Sequence, residues 1–198
     1  MQRGRTTAKI EPWLAKPVIP VVWDITKQPQ VLASAAMIFL QGGEVADLPA
    51  VLDTLDKPPL ARVAVMLHID LLAGLTSDEA GLHFVAKYPR INGIITVRSH
   101  LVASARRAGL VSILRLFLQD GRSVDRGLHL IEQSKPDIIE LIPGVAAAEI
   151  ADRFAGVSIP RTAGGLIRTP EVVHRILASG CRAVSTSNPA LWAMNETT

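Results

Sequence analysis

Eight short aliphatic segments recur along the chain, and a helical pattern follows each of them. Each segment ends in a polar residue or a glycine, as strands do where they run into loops. Strands that are apolar over their whole length are typical of parallel sheets covered by helices on both faces. The eight units therefore predict an α/β fold, a compact (β/α)8 TIM-type barrel, with a doubly wound open sheet as the alternative. In chain order the segments are VIPVVWD, AMIFLQGG, RVAVMLHID, INGIITVRS, LVSILRLF, PDIIELIPG, VSIPRTAGG and RAVSTSN.

Signals for helix ends lie between these segments. Thr76, with Glu79 three residues later, forms a capping-box pattern. Strand and helix patterns thus alternate through the whole chain, as a barrel requires. Two further helices have recognisable ends: one begins at Ser99 and ends at Gly109, and one begins at Thr169 and Pro170 and ends at Gly180.

The length of 198 residues favours one domain, because domains commonly have about 100–200 residues. We expect residues 1–16 to form a basic, loosely structured segment that carries Arg3, Arg5 and Lys9, and residues 17–198 to form the barrel domain. No apolar stretch approaches the roughly 18 residues that cross a bilayer, and no hydrophobic leader follows the first positive charges. These features predict a cytoplasmic protein with no membrane partner. The net charge of +3 permits nucleic-acid binding without indicating it.

Polar residues and glycines close most of the eight strands. In a parallel barrel the carboxyl ends of the strands meet at one functional face, so these residues point at a common mouth. Arginines and acids are unusual inside the strand ends of so aliphatic a chain, and as a group they predict a ligand site. The ring consists of Asp24, Gly42 and Gly43, His68 and Asp70, Arg98, Arg115, Glu140 with Pro143 and Gly144, Gly164 and Gly165, and Ser185, Thr186 and Ser187.

The seventh and eighth junctions predict a phosphate site. Barrels commonly hold phosphate in the loops after these two strands and at the amino end of a short extra helix. Gly164 and Gly165 let the backbone approach phosphate oxygens without an intervening Cβ atom. Asn188 is a good N-cap and Pro189 a good first helical residue, so NPALW predicts that short helix. The predicted phosphate-binding residues are Gly164, Gly165, Ser185, Thr186 and Ser187.

The acids and His68 fit either catalysis or recognition of a polyol. His68 and Asp70, two residues apart on a strand, would point to the same face. Two residues are too few to define a metal site, and Cys181 fits a small packing residue better than a nucleophile. The sequence contains no nucleophile motif, no GxGxxG and no P-loop. We therefore assign no catalytic residue, metal or cofactor from the sequence.

Four long stretches resemble the glycerol uptake operon antiterminator regulatory proteins, and the resemblance extends over about residues 16–192. Its most specific parts are residues 69–74, 140–144, 163–169 and 183–188. The resemblance implies a barrel that senses glycerol 3-phosphate and acts on the leader of a glycerol-use messenger RNA to let transcription pass a terminator. The stretches are HIDLLAGLTSDEAGLHFV, INGIITVRSHLVASARRAGL, LRLFLQDGRSVDRGLHLIEQSKPDIIELIPG and AGGLIRTPEVVHRILASGCRAVSTSNPALW.

The resemblance places the phosphate on the glycines and hydroxyl residues already named. It places the glycerol end against a second set of residues near the mouth. Two departures from the family pattern lie nearby: Trp23 stands where a lysine tends to precede the aspartate, and Gly43 is followed by Glu44 where glycine is more often followed by aspartate. These departures bear on the identity of the ligand. The polyol-binding residues so implied are Asp24, His68, Asp70, Arg98, Arg115 and Glu140.

The resemblance also implies an RNA partner, and clustered arginines are the side chains that contact an RNA backbone. The candidates are Arg106 and Arg107 with Arg122 and Arg126 on the next helical segment, and the protein is a candidate homo-oligomer.

The alternative function is a phosphate-handling barrel enzyme acting on a glycerol or sugar phosphate, with Glu140, Asp70 or His68 as acid or base. A third alternative is a family member that keeps the phosphate site and has lost RNA regulation.

Overall fold

The eight predicted strands close into one parallel barrel. The computed structural model describes residues 10–196, and each strand pairs with the next one along the chain, while the last pairs with the first. The predicted (β/α)8 barrel is confirmed, and the open sheet is excluded because it would leave two edge strands unpaired. The strands are β1 (Val18–Val22), β2 (Met37–Leu40), β3 (Ala64–His68), β4 (Gly93–Thr96), β5 (Val111–Phe117), β6 (Ile138–Ile142), β7 (Arg161–Gly164) and β8 (Ala183–Thr186).

Helices cover the outside of the barrel, but two connections are shortened. The first helix has only four residues, and between β6 and β7 the 3₁₀ turns Gly144–Ala146 and Ala151–Phe154 take the place of a helix. Because these two connections are short, the barrel needs fewer residues than the typical length of about 250. The α-helices among residues 10–196 are α1 (Pro29–Leu32), α2 (Leu48–Leu55), α3 (Glu79–Val85), α4 (Ser99–Arg107), α5 (Gly121–Ser134), α6 (Pro170–Ala178) and α7 (Pro189–Trp192).

The observed helix ends confirm the predicted start of one helix and the predicted cap of another, and they correct one cap. Thr169 precedes α6, and the Asn188 side chain caps α7 by accepting a hydrogen bond from the Ala190 amide at 3.2 Å. The capping box at Thr76 and Glu79 is wrong. Asp78 caps α3 by accepting from the Gly81 amide at 2.8 Å, since its short carboxylate lies directly before the first helical turn.

The core has two layers, one inside the barrel and one between the strands and the helices. Along β2, Met37 and Phe39 belong to the inner cluster, whereas Ile38 and Leu40 belong to the outer one. This alternation follows from the two-residue period of a strand, and both faces are buried because helices cover the outside. The residue that continues each inner row past the apolar layers faces the mouth of the barrel.

The amino end of the barrel is closed by the segment before β1. Glu11–Leu14 forms a 3₁₀ turn, and Ile10 and Leu14 are buried in the inner cluster beside strand-opening residues such as Met37 and Ala64. The expectation of a loosely structured segment therefore does not hold for residues 10–14, because their apolar side chains plug the barrel. Residues 1–9, with Arg3, Arg5 and Lys9, lie outside the described residues. Between residues 10 and 196, no helix is long and apolar enough to cross a membrane.

Candidate functional site

The mouth of the barrel is lined by a polar layer that lies directly above the apolar interior. The inner row of β3 runs Ala64, Met66 and then His68, and the inner row of β5 runs Val111, Ile113 and then Arg115. The same replacement of apolar by polar side chains occurs on β6 and β8, and directly after the end of β2, because each inner row ends at the same face. The residues of this layer are Gln41, His68, Arg115, Glu140 and Ser185.

Glu140 lies at the centre of this layer and is fully buried, at 0% exposure. Arg115 Nε donates to its Oε2 atom at 2.7 Å, and Ser185 Oγ donates to its Oε1 atom at 2.5 Å. The Nη1 and Nη2 atoms of Arg115 lie 3.4 and 3.3 Å from Gln41 Oε1. A buried carboxylate is stable only when it is paired and hydrogen-bonded. Both oxygens of Glu140 meet that condition, so the Arg115–Glu140 pair carries no net charge.

His68 is the other buried ionisable group of the layer. It is 2% exposed, and neither ring nitrogen has a hydrogen-bond partner among the described residues. Burial, followed by the positive charge of Arg115, lowers the pKa of His68 from 6.5 to about 4 against a smaller opposing effect of Asp70. His68 is therefore neutral at pH 7 and offers one N–H donor and one nitrogen acceptor.

The lowered pKa of His68 makes folding sensitive to acid. Above pH 6.5 both the folded and unfolded states keep the imidazole neutral, but as the pH falls toward 4 only the unfolded state gains the proton. We expect the wild type to lose roughly 2 kcal/mol of unfolding free energy to this group between pH 7.5 and pH 5. His68→Gln should remove that increment. Urea unfolding at the two pH values measures it.

His129, exposed on α5, provides the matched control. His129→Gln should keep the pH dependence of the wild type. An equal loss of stability at pH 5 in His68→Gln and wild type would contradict the assignment of the effect to the buried imidazole.

A cavity of about 460 Å³ opens above the polar layer. Pockets that bind small molecules have volumes of about 300–1,000 Å³, so this one suits a small ligand. Residues 165–168, after β7, and residues 185–188, at the end of β8, form one wall, and Val21, Gln41, Arg115 and Ile142 complete it. The structure thus brings the two predicted phosphate segments together at one cavity.

The backbone of the loop after β7 lines this cavity because of its unusual conformation. A Cβ atom on Gly164 would lie 2.1 Å from Ser185 Oγ and 2.8 Å from Glu140 Oε1, so no side chain fits there. Gly165 has φ +81° and Leu166 has φ +60°, both left-handed, and the Leu166 side chain is 64% exposed. The amides of residues 166–168 donate to no other described residue. Successive amides of this kind form an anion-binding concavity.

The three predicted hydroxyl residues at the end of β8 have different surroundings. Ser185 donates to Glu140 as described above. Thr186 Oγ1 lies 3.5 Å from the Ile167 carbonyl and accepts from the Asn188 amide at 3.1 Å, so it joins the two loops. The exposed Ser187 hydroxyl has no hydrogen bond to the rest of residues 10–196. Ser187 is therefore the member of the set that is free to contact a ligand.

Of the six predicted polyol residues, the structure places His68, Arg115 and Glu140 together in the polar layer. Asp70 lies in the 3₁₀ turn Ile69–Leu71, beyond the end of β3, so it does not share a strand face with His68 as predicted. Its carboxylate accepts from the Val97 amide at 2.7 Å and from Thr96 Oγ1 at 3.1 Å, and lies 3.5 Å from Arg98 Nε. These contacts hold the β3 and β4 loops together.

Asp24, the remaining predicted polyol residue, is exposed and forms its hydrogen bonds within its own loop. Its carboxylate accepts from Thr26 Oγ1 at 2.6 Å and lies 3.1 Å from Lys27 Nζ. Hydrogen bonds from Thr26, followed by one from Lys27, lower its pKa. Asp24 does not line the cavity above Arg115.

The two departures from the family pattern meet in space. A Cβ atom on Gly43 would lie 1.8 to 2.3 Å from three carbon atoms of the Trp23 indole, so the indole packs directly on the glycine backbone. Gly43 also has a left-handed φ of +75°, which favours glycine. Trp23 and Gly43 therefore form one packing unit beside the first two strands, and Glu44 follows them in an isolated bridge to Ala73.

Among the cavity residues that the reasoning from sequence missed, Gln41 and Arg168 have the side chains most able to bind a polar ligand. Gln41 follows β2 in the stretch MIFLQ, and its place on the inner row after Met37 and Phe39 was the available signal. Arg168 lies three residues after Gly165, and no local pattern distinguishes it from a solvated loop arginine. Among residues 10–196, no group of three His, Cys, Asp or Glu side chains could hold a metal ion.

The predicted RNA-binding arginines lie on two neighbouring outer helices. Arg106 and Arg107 are in the last turn of α4, and Arg122 and Arg126 are in α5. Arg107 Nη2 lies 3.1 Å from Glu79 Oε1, and Arg106 Nη1 donates to the Lys135 carbonyl at 3.4 Å. Arg122 and Arg126 are exposed and form no ion pair within residues 10–196. Lys135 follows the last turn of α5, so Arg106 lies at the carboxyl end of that helix, whereas Arg122 and Arg126 lie in its first two turns. The two pairs are therefore on neighbouring helices but near opposite ends.

Comparison with known proteins supports the resemblance over the whole barrel. The chain matches the model of the glycerol-3-phosphate responsive antiterminator family over residues 18–192. It is similar to the crystal structure of the glycerol uptake operon antiterminator regulatory protein from Listeria monocytogenes str. 4b F2365, with 31% identity, a TM-score of 0.80 and coverage of 89% of this chain and 94% of that chain. A glycerol uptake operon antiterminator-related protein from Thermotoga maritima MSB8 is 29% identical, with a TM-score of 0.79 and coverage of 89% and 98%.

The Escherichia coli K12 protein YgcP, described as uncharacterized, is 30% identical over 128 residues, which are 65% of this chain and 67% of that protein. The family match runs from β1 to α7 and so includes every strand and both loops of the cavity. The family is one of regulators and not of enzymes. The chain therefore belongs to the glycerol-3-phosphate responsive antiterminator family.

Proposed function

We propose that this protein is a cytoplasmic regulator that binds glycerol 3-phosphate at the barrel mouth and, when loaded, acts on the leader of a glycerol-use messenger RNA so that transcription passes a terminator. The observation that carries the proposal is the mouth cavity, where free loop amides adjoin a buried polar layer. A phosphate monoester with a short polyol has these same two parts. Family membership supports both the ligand and the RNA target.

The phosphate lies against the loop after β7 and the end of β8. The amides of residues 166–168 donate to its oxygens, and Gly164 and Gly165 keep side chains out of the way. The Ser187 hydroxyl adds a donor. Ser185 and Thr186 contribute by holding the walls of the site, because their own hydroxyls are bonded within the protein.

The glycerol end lies toward the polar layer. A hydroxyl group both donates and accepts, and neutral His68 can satisfy both requirements with its two ring nitrogens. Arg115 and Glu140 form the charged floor beside it. Asp24, Asp70 and Arg98 lie outside this floor, and we propose that they act by ordering the surrounding loops, since their carboxylates and guanidinium are bonded there.

The RNA contacts the outer face formed by α4 and α5. An RNA backbone needs clustered cations, and two pairs on adjacent helices supply them: Arg106 with Arg107, and Arg122 with Arg126. Arg122 and Arg126 are the stronger pair because neither is in an ion pair with a described residue. Two copies of the chain would double this surface, and we propose a homo-oligomer as the RNA-binding form.

The test measures binding of the ligand and binding of the leader RNA with the same protein. We expect calorimetry to show saturable binding of glycerol 3-phosphate and much weaker binding of glycerol. Gel shifts with the leader of the protein's own operon should show binding that the ligand strengthens. The Arg122→Ser/Arg126→Ser double variant should reduce the slope of log K against log salt by up to about 2.

Arg175, exposed on α6, gives the control variant Arg175→Ser, which should keep the wild-type salt slope. Absence of both ligand and leader binding would refute the proposal. Ligand binding without leader binding would favour the alternative in which RNA regulation has been lost. Sedimentation of the leader complex measures the number of copies bound.

The enzyme alternative is weaker at this site. A general base must reach a proton of the substrate, but Glu140 is fully buried beneath the cavity and does not line it. Asp70 is likewise bonded to the β4 loop. Turnover of a glycerol phosphate by the wild type, abolished in a Glu140→Gln variant that circular dichroism shows to be folded, would nevertheless revive that alternative.

A further inference from the structure

Arg168 supplies the uncompensated positive charge of the cavity wall. The charged side chains that line the cavity are Arg115 and Arg168, and Glu140, buried below, neutralises Arg115 through a 2.7 Å ion pair. The remaining described wall residues are uncharged side chains and glycine. Without Arg168, the described lining and its buried floor would therefore carry no net charge.

A phosphate monoester needs more than neutral donors. It carries about −1.5 to −2 charges at pH 7, because its second pKa is near 6. Moving an anion out of water into a cavity is costly when no cation compensates it. Loop amides and one hydroxyl reduce that cost, but a charged donor forms hydrogen bonds roughly twice as strong as a neutral one. A cation that is free to turn toward the phosphate is thus expected at this wall.

The surroundings of Arg168 fit that role. Its side chain is exposed and forms no ion pair with the rest of residues 10–196, so its five N–H donors are available. Its backbone is fixed at the same time. The Arg168 carbonyl accepts from Asn188 Nδ2 at 3.3 Å, and the neighbouring Ile167 carbonyl lies 3.5 Å from Thr186 Oγ1. The free guanidinium therefore projects from an anchored segment that joins the two phosphate loops.

We infer that Arg168 binds the phosphate of the ligand directly, and that its charge makes the site selective for the dianionic form of a phosphate monoester. This inference rests on the proposed function and adds a residue and a charge state to it. An arginine that serves only solvation, or that contacts RNA instead, would have no effect on binding of the small ligand. Calorimetry without RNA separates these roles.

The experiment compares wild type, Arg168→Gln, Arg168→Lys and the control Arg175→Gln, titrated with glycerol 3-phosphate at pH 7.5. We expect Arg168→Gln to weaken binding at least about tenfold, since a hydrogen bond to a charged group is lost. Arg168→Lys should recover part of the loss because it keeps the charge but not the fork of donors. Arg175→Gln should bind within about twofold of wild type. The melting temperatures without ligand should be equal, because neither arginine is in an ion pair with a described residue.

The charge state is tested by repeating the titrations at pH 5.5. Wild-type affinity should fall as the phosphate gains a proton, and the fall should be smaller in Arg168→Gln. Equal affinity of Arg168→Gln and wild type would overturn the inference while leaving the proposed function intact. An equal loss in Arg175→Gln would also overturn it, because the effect would then be one of overall charge. A wild-type protein that binds no glycerol 3-phosphate would refute the proposed function itself.

Discussion

Replacing Glu140 with glutamine should lower the free energy of unfolding by about 3–5 kcal/mol. Glu140 is fully buried, and Arg115, whose side chain is 10% exposed, has its ion pair with this carboxylate. Glutamine keeps the shape and one acceptor oxygen but removes the negative charge. The guanidinium is then left in the barrel without a counter-charge, which costs far more than the hydrogen bond alone. Urea unfolding at pH 7.5 measures the change.

A double-mutant cycle separates the charge from the packing. Arg115→Met alone should also destabilise the protein, because it leaves the Glu140 carboxylate unpaired. The double variant Arg115→Met/Glu140→Gln should lose less than the sum of the two single losses, since no charge is then buried. Additive losses would mean that the two side chains do not act as a buried ion pair.

Replacing Gly164 with alanine should cost about 3 kcal/mol, with loss of phosphate binding. The new Cβ atom would lie 2.1 Å from Ser185 Oγ and 2.8 Å from Glu140 Oε1. Forcing extra volume into a packed site costs about 1–3 kcal/mol, and Ser185 must also give up its hydrogen bond to the Glu140 carboxylate. Urea unfolding and calorimetry with glycerol 3-phosphate measure the two effects.

The next residue, Gly165, is the matched comparison. A Cβ atom there has no neighbour closer than 3.6 Å, so only its left-handed φ of +81° opposes a side chain. Gly165→Ala should therefore cost about 1–2 kcal/mol from backbone strain alone. Gly165→Val should weaken phosphate binding further through its bulk while the barrel stays folded. A Gly165→Ala variant less stable than Gly164→Ala would contradict the stated reasons for the two glycines.

The sequence alone predicted the fold and the face of the barrel on which the candidate site lies. Strand and helix patterns depend on residues two to four positions apart, so the eight runs, the start of α6 at Thr169 and the N-cap at Asn188 could be recognised locally. The rule that parallel strands end at one face then located the mouth. Even here a local choice was misjudged, because Asp78 and not Thr76 caps α3.

The tertiary structure decided which polar side chains are free and which are bonded within the protein. Arg115 meets Gln41 from 74 positions away, and Ser185 meets Glu140 from 45 positions away. These pairs are set by the register and closure of the barrel, which no local pattern contains. The same closure leaves His68 buried without a described partner and leaves Arg168 without an ion pair to any residue from 10 to 196. The sequence thus determined the ring of polar residues, and the barrel determined what each of them can bind.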